Sequence, residues 1–207
     1  MIRRTNIWKL GSALLPLLGM LGVGAPALAQ EHPKEVKVGL LVPLSGIYAR
    51  PGQVMRMGAE MAVEHINAQG GIQSMGGAKL KLVVLDSGDT TEKAKNAAQR
   101  MVAQETDLVA ASGAYLSSFT LAVTEVTERA ELPMLTLSYS DQITERGFKY
   151  VFQTSATSGS QANQALPIIV EIAEKATGQR PKTVAIITDN TAASISSVKP
   201  MKERLLA

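Results

Sequence analysis

The chain has 207 residues, with 21 Lys and Arg against 18 Asp and Glu, two histidines and no cysteine. The basic excess is confined to Arg3, Arg4 and Lys9, so everything after them is electrically balanced and has no charge run to attract nucleic acid. The lack of cysteine excludes disulfides and a lipid-modified N-terminal cysteine.

Residues 1–29 read as an export signal. "MIRRTNIWK" is basic with no acid, "LGSALLPLLGMLGVGA" is apolar, and "ALA" at 27–29 presents small residues to a signal peptidase, which predicts Gln30 as the first mature residue. Pro16 and several glycines interrupt the apolar stretch, which argues against a membrane anchor. The mature protein is therefore expected to be periplasmic and soluble.

From residue 36 strands and helices alternate. "VKVGLLVP" is a nearly continuous apolar run, as in a strand buried on both faces. The next segment, "VMRMGAEMAVEHINAQGG", predicts a helix with Met55, Ala59, Ala62, Val63 and Ile66 on its inner face and a stop at Gly70 and Gly71. "LKLVVLD" (80–86) predicts the second strand. "DTTEKAKNAAQRMVAQE" follows as a helix, with Ala94, Ala97, Ala98, Met101 and Val102 inward and Asp89 with Glu92 as a variant capping box. "LVAAS" is the third strand, followed by a helix carrying Phe119, Ala122, Val123, Val126 and Ala130. "LPMLTLS" is the fourth strand, and after an irregular stretch a long helix ends near Gly178. "KTVAIITD" is the expected fifth strand, and "SSVKPMKERLLA" opens another helix.

This alternation predicts an α/β fold with a parallel sheet, whose ligands bind at the carboxyl ends of the strands. Small and hydroxyl-bearing residues gather there: Ser45 and Gly46, Asp86 to Asp89, Gly113 to Ser118, Ser138 to Ser140, and Thr188 to Thr191.

Three chemistries can be weighed at these positions. A serine hydrolase would use Ser117 or Ser118, but "GAYLSS" is not a nucleophile elbow and the histidines, His32 and His65, are poorly placed as bases. Asp86 and Asp89 alone make a poor metal set, so no metal is expected. "GGIQSMGG" has no Lys-Ser/Thr pair and is not a phosphate loop, so no cofactor is expected. Non-covalent recognition remains, with the start of the third helix as a place for an anion. The residues alone leave Ser117 and Ser118 open between anchoring such an anion and capping the helix.

Taken together, "VKVGLLVPLSGIYARPGQVMRMGAEMAVEHINAQGGI", "LVVLDSGDTTEKAKNAAQRMV" and "LPMLTLSYSDQITERGFKYVFQTSA" resemble the leucine/isoleucine/valine-binding family of periplasmic substrate-binding proteins. The resemblance implies a periplasmic-binding-protein type I fold with two Rossmann-like lobes. Residues 36–156 would be the N-terminal lobe, and residues 157–207 the beginning of a second lobe that is only partly present. It implies a non-enzymatic, monomeric solute-binding protein that delivers an amino acid or related small carboxylate to an ABC permease in the inner membrane. By the same resemblance Ser117 meets the ligand's carboxylate, while the Ser138 carbonyl and Ser140 hydroxyl meet its ammonium group. Pro51 and Ala193 stand where leucine-type binders have aromatic residues, so Tyr48, Tyr115 and Tyr139 are expected to supply aromatic surface instead. Ser118 keeps the capping role, and Gln153 stands where an arginine is common. A sensory module on the same fold and, remotely, a secreted serine hydrolase are the alternative functions.

Overall fold

A computed structural model describes residues 33–206; the expected export signal lies outside the described residues. Five strands form one all-parallel sheet: β1 (Glu35–Val42), β2 (Lys79–Asp86), β3 (Leu108–Gly113), β4 (Met134–Thr136) and β5 (Val151–Gln153), in the order β2-β1-β3-β4-β5. The chain goes from β1 outward to β2 and then returns to the other side of β1. That reversal opens a crevice at the carboxyl ends of β1 and β3.

The helices are α1 (Ala49–Ala68), α2 (Thr91–Gln104), α3 (Ser117–Arg129), the short α4 (Gln142–Glu145), α5 (Ser158–Thr177) and α6 (Ala192–Leu206). The core is a layer in which α2 and α3 pack on one sheet face. Ala94, Ala97, Ala98 and Met101 of α2 and Phe119, Val123 and Val126 of α3 meet Leu41, Ala111 and Met134 of the strands. The layer is close at Gly39, where a Cβ would come within 2.7 Å of Met101 Sδ.

The other face is covered only in part. Leu40, Ser112, Leu135 and Phe152 share one row across the register. Leu40 is buried where α1 lies over β1 and β2, but Leu135 and Phe152 are 40% and 50% exposed. Parallel sheets ordinarily have both faces covered. On α1 the predicted inner face is half right: Met55, Ala59 and Val63 are half-buried, whereas Ala62 and Ile66 are exposed, as are Val54, Met57 and Met61.

Four other expectations need correction. The helix α1 starts five residues before Val54, with Pro51 inside its first turn, where the N–H that proline lacks would have no partner anyway. The cap of α2 is Thr90, not Asp89: Thr90 Oγ1 accepts from the Lys93 N–H at 3.2 Å, three residues on, while Asp89 pairs with Lys93 Nζ at 2.8 Å. The fourth strand is shorter than 132–138. After Thr136 the chain bends, and the Ser138 N–H turns back to Thr136 Oγ1 at 3.1 Å instead of continuing a ladder. Finally, residues 182–189 form no strand, because no neighbouring strand offers them hydrogen bonds; Ile187 is 96% exposed.

Candidate functional site

The crevice is built where three loops meet at the carboxyl ends of β1, β3 and β4. Asp86, at the end of β2, organises the first loop by accepting from the Leu44 N–H at 2.8 Å and the Gly88 N–H at 2.7 Å. Burial pushes its carboxyl up, but the Ser45 hydroxyl and those N–H groups outweigh it and hold the group below its usual range. The carboxylate therefore serves the backbone, and among the described residues no cluster of three or more His, Asp or Glu could hold a metal.

The second loop leads from β3 into α3. Tyr115 has φ +70°, a left-handed conformation costly for a residue with a side chain. Its ring lies 5.8 Å from that of Tyr48, which in turn meets Phe119 edge-on at 6.0 Å. Two of the predicted aromatic residues are thus brought together on one wall. Pro51 lies in the first turn of α1, just beyond Tyr48.

At the start of α3 neither serine is the cap. Leu116 occupies the cap position with extended backbone and makes no side-chain cap hydrogen bond, whereas Ser117 and Ser118 are already helical. A capping side chain needs a residue outside the helix whose oxygen can bend back to the first turn. Ser117 instead reaches across to the third loop: its Oγ accepts from the Tyr139 N–H and the Ser140 N–H, both at 3.1 Å. The residue is only 3% exposed, and its hydroxyl proton has no acceptor among the described residues. The N–H groups of Ser117, Ser118 and Phe119, the first turn of α3, are likewise without a side-chain cap.

The third loop carries Ser138, Tyr139 and Ser140. The Ser138 hydroxyl sits inside, 2.7 Å from Thr120 Oγ1 and 3.1 Å from the Tyr115 carbonyl oxygen. Its carbonyl oxygen accepts from Gln153 Nε2 at 2.7 Å and from Ser155 Oγ at 3.0 Å. The Ser140 hydroxyl is fully buried and lies 2.6 Å from Ser196 Oγ on α6. Tyr139 is half exposed and lines a cavity of about 310 Å³ between α5 and α6, whose wall includes Ala193, Ser197 and Met201. The structure thus brings Ser117, Ser138, Tyr139 and Ser140 together, places Ala193 beside Tyr139, and sets Tyr48 with Tyr115 on a separate wall.

Sequence reasoning missed β5 as a strand and Gln153 and Ser155 as the residues that engage the third loop. The short apolar pair Val151 and Phe152 was the one available signal, and three residues are too few to show a period. Ser196 had no signal at all, because its partner is 56 residues away.

The chain matches a family model described as periplasmic binding protein over residues 35–206. It is 32% identical to the Leu/Ile/Val-binding protein homolog 8 of Brucella abortus over 73% of this chain and 37% of that protein. It is also 32% identical to an amino acid binding protein of Pseudomonas aeruginosa, over 89% of this chain and 46% of that one. Among solved structures, a solute binding protein of an ABC transporter from R. palustris in complex with 4-hydroxybenzoate superposes with a TM-score of 0.66 and 25% identity, covering 83% of this chain and 44% of that one. The chain therefore spans less than half the length of these relatives. The match over 35–206 takes in the whole sheet and all three loops of the crevice, and with it this chain belongs to the periplasmic binding protein family.

Proposed function

We propose that this chain forms the ligand-binding lobe of an extracytoplasmic solute-binding protein of an ABC importer, and that it holds an amino acid or related small carboxylate by its carboxylate group at Ser117. The observation that carries this reading is the state of that hydroxyl: buried, accepting from two N–H groups, and left with a proton to donate beside the uncapped start of α3. An anion at this point would accept from the hydroxyl and from the helix N–H groups and would complement the positive end of the helix. The relatives bind amino acids or, in one case, 4-hydroxybenzoate, and a carboxylate is common to both.

In this reading residues 36–156 are the first lobe and residues 157–207 begin the second. Two features favour that division: α5 and α6 pack chiefly on each other, and one sheet face has bare positions at Leu135 and Phe152. The leader would carry the protein to the periplasm, where the permease is its partner and the monomer its working form. Ser117 is an anchor and not a nucleophile in this reading, since its Oγ accepts from two backbone N–H groups and is hydrogen-bonded to no side-chain base among the described residues.

A thermal-shift screen of the chain with amino acids and aromatic acids tests the reading. Stabilisation by carboxylates that is lost in Ser117→Ala is the expected result. No response, or one unchanged by that substitution, would remove the site. Binding here should be weak, because the residues present build only part of a two-lobed cleft; affinity of about micromolar or tighter would contradict the domain division.

A further inference from the structure

Resting on the carboxylate site at Ser117, we infer that Gln153 is its positioning residue: from β5 it sets the third loop so that the Ser117 hydroxyl is a donor toward the crevice. The inference comes from following two peptide groups from end to end. A trans peptide is planar, with its C=O and N–H pointing in opposite directions, so holding the oxygen aims the hydrogen. The peptide between Ser138 and Tyr139 is held by its oxygen, which accepts from Gln153 Nε2 at 2.7 Å and Ser155 Oγ at 3.0 Å, and its N–H goes to Ser117 Oγ at 3.1 Å. The next peptide is held in the same way. The Tyr139 carbonyl accepts from the Ser158 N–H at 2.6 Å, and the Ser140 N–H reaches the same Ser117 oxygen at 3.1 Å.

Two successive N–H groups thus converge on one hydroxyl. A regular helix or strand would not bring them to a single acceptor, and residues 137–140 form neither. A hydroxyl oxygen has two lone pairs and one proton. With both lone pairs filled from the loop, the proton is what Ser117 has left to offer a ligand.

Gln153 is suited to this by more than one bond. Its Nε2 also reaches the Ser140 carbonyl at 3.4 Å, so a single amide group braces the loop on both sides of Tyr139. Its Oε1 accepts from Thr144 Oγ1 at 3.4 Å, which leaves the NH₂ end for the two carbonyls. Gln153 also has a firm base, because in the sheet it pairs with Thr136, the residue at which β4 ends and the loop begins.

The test pairs two substitutions at Gln153 with NMR of the ¹⁵N-labelled chain. Gln153→Met keeps the length of the side chain and loses its donor, whereas Gln153→Arg keeps an N–H at the same bond from Cα. In Gln153→Met the Tyr139 amide should exchange with solvent at least about fivefold faster, and in Gln153→Arg within about twofold of the parent. In a Ser117→Ala background, where that amide has already lost its acceptor, Gln153→Met should add less than about twofold. Equal effects in the two backgrounds would make Gln153 a brace that does not act through Ser117, and would overturn the inference. Binding is read by titrating leucine and 4-hydroxybenzoate against the amides of Ser117, Ser118 and Phe119. For a probe that binds the parent, Gln153→Met should raise the dissociation constant at least about threefold, and Gln153→Arg should restore it. An unchanged affinity in folded Gln153→Met would overturn the inference while leaving the carboxylate site standing. If neither probe moves those amides in the parent chain at roughly tens of millimolar, the site at Ser117 falls and the inference with it.

Discussion

The Ser117 hydroxyl oxygen and the Ser140 N–H meet at 3.1 Å, although 23 residues and the whole of α3 separate them in the chain. The same oxygen takes the Tyr139 N–H, so one side chain ties the start of α3 to the loop after β4. Removing it should act twice. In Ser117→Ala two N–H groups lose their acceptor, which should cost about 1–3 kcal/mol of folding stability. Carboxylate binding should weaken by about 1.5–3 kcal/mol as the charged hydrogen bond disappears. Urea unfolding checks the first effect and a carboxylate titration the second. A stability loss with unaltered affinity would mean that Ser117 only braces the loops.

The cap of α2 separates two readings that differ by one residue. Thr90 makes the bond to the Lys93 N–H, whereas Asp89 makes an exposed ion pair with the same lysine's side chain. Thr90→Ala should therefore cost about 1 kcal/mol. Asp89→Asn, which weakens a solvent-screened pair, should cost less than Thr90→Ala, and less still in high salt. Paired denaturation curves at low and high ionic strength decide between them; a larger, salt-independent effect at Asp89 would restore the capping box.

Gly52 tests how tightly the first loop is closed. It is the one buried residue of α1, and a Cβ there would stand 1.7 Å from the Pro43 carbonyl oxygen, a backbone atom that cannot swing aside. Gly52→Ala should destabilise the chain by about 1–3 kcal/mol through displacement of α1. Gly58, on the same helix, has nothing within 4 Å of its would-be Cβ. Gly58→Ala should instead stabilise by about 0.5–1 kcal/mol through helix propensity. Melting temperatures moving in opposite directions would confirm both; a common direction would refute the close approach.

Much of this architecture was legible because it is local. The run in β1 and the spacing of Ala94, Ala97, Ala98 and Met101 state their elements without help from distant residues. The candidate site was legible as a place, the carboxyl ends of the strands, but not as a circuit of hydrogen bonds. Ser117 looks like a cap in sequence because a serine before an apolar helical stripe usually is one. Its true partners depend on where β4 ends, and that end is set by a bend at Thr136 and Ser138 that no periodicity records. Gln153 could be placed only once β5 was seen beside β4.

Asp86 gives a pH signature. Its carboxyl is held below the usual 3.8, despite the upward push of burial, by donors from Ser45, Leu44 and Gly88. A group whose folded value is depressed contributes stability that is complete above the unfolded value and lost as pH falls through the folded one. Asp86→Asn should thus be less stable than the parent at neutral pH, and the gap should close as pH falls below about 3.8. Urea midpoints for both proteins from pH 7 to pH 3 measure this. A gap independent of pH would mean that Asp86 acts through packing rather than charge.

The unformed strand at residues 182–189 makes the last test, and it bears on the division into lobes. "KTVAIITD" has the composition of a buried strand, yet a strand is stable only when another lends it hydrogen bonds, and here none does. Val184 is 49% exposed and Ile187 nearly wholly so. Their amides should exchange with solvent almost as fast as those of an open chain. In β3, where the Ala111 N–H is held by the Pro133 carbonyl at 2.8 Å, exchange should be slower by at least about a hundredfold. If an added polypeptide lent this segment a strand to pair with, protection should appear at 182–189 while β3 stays as it was, because the missing term is a partner and not a propensity. Strong protection in the chain by itself would show that this segment pairs with something already present, and the free edge of β5 would then be the first place to look.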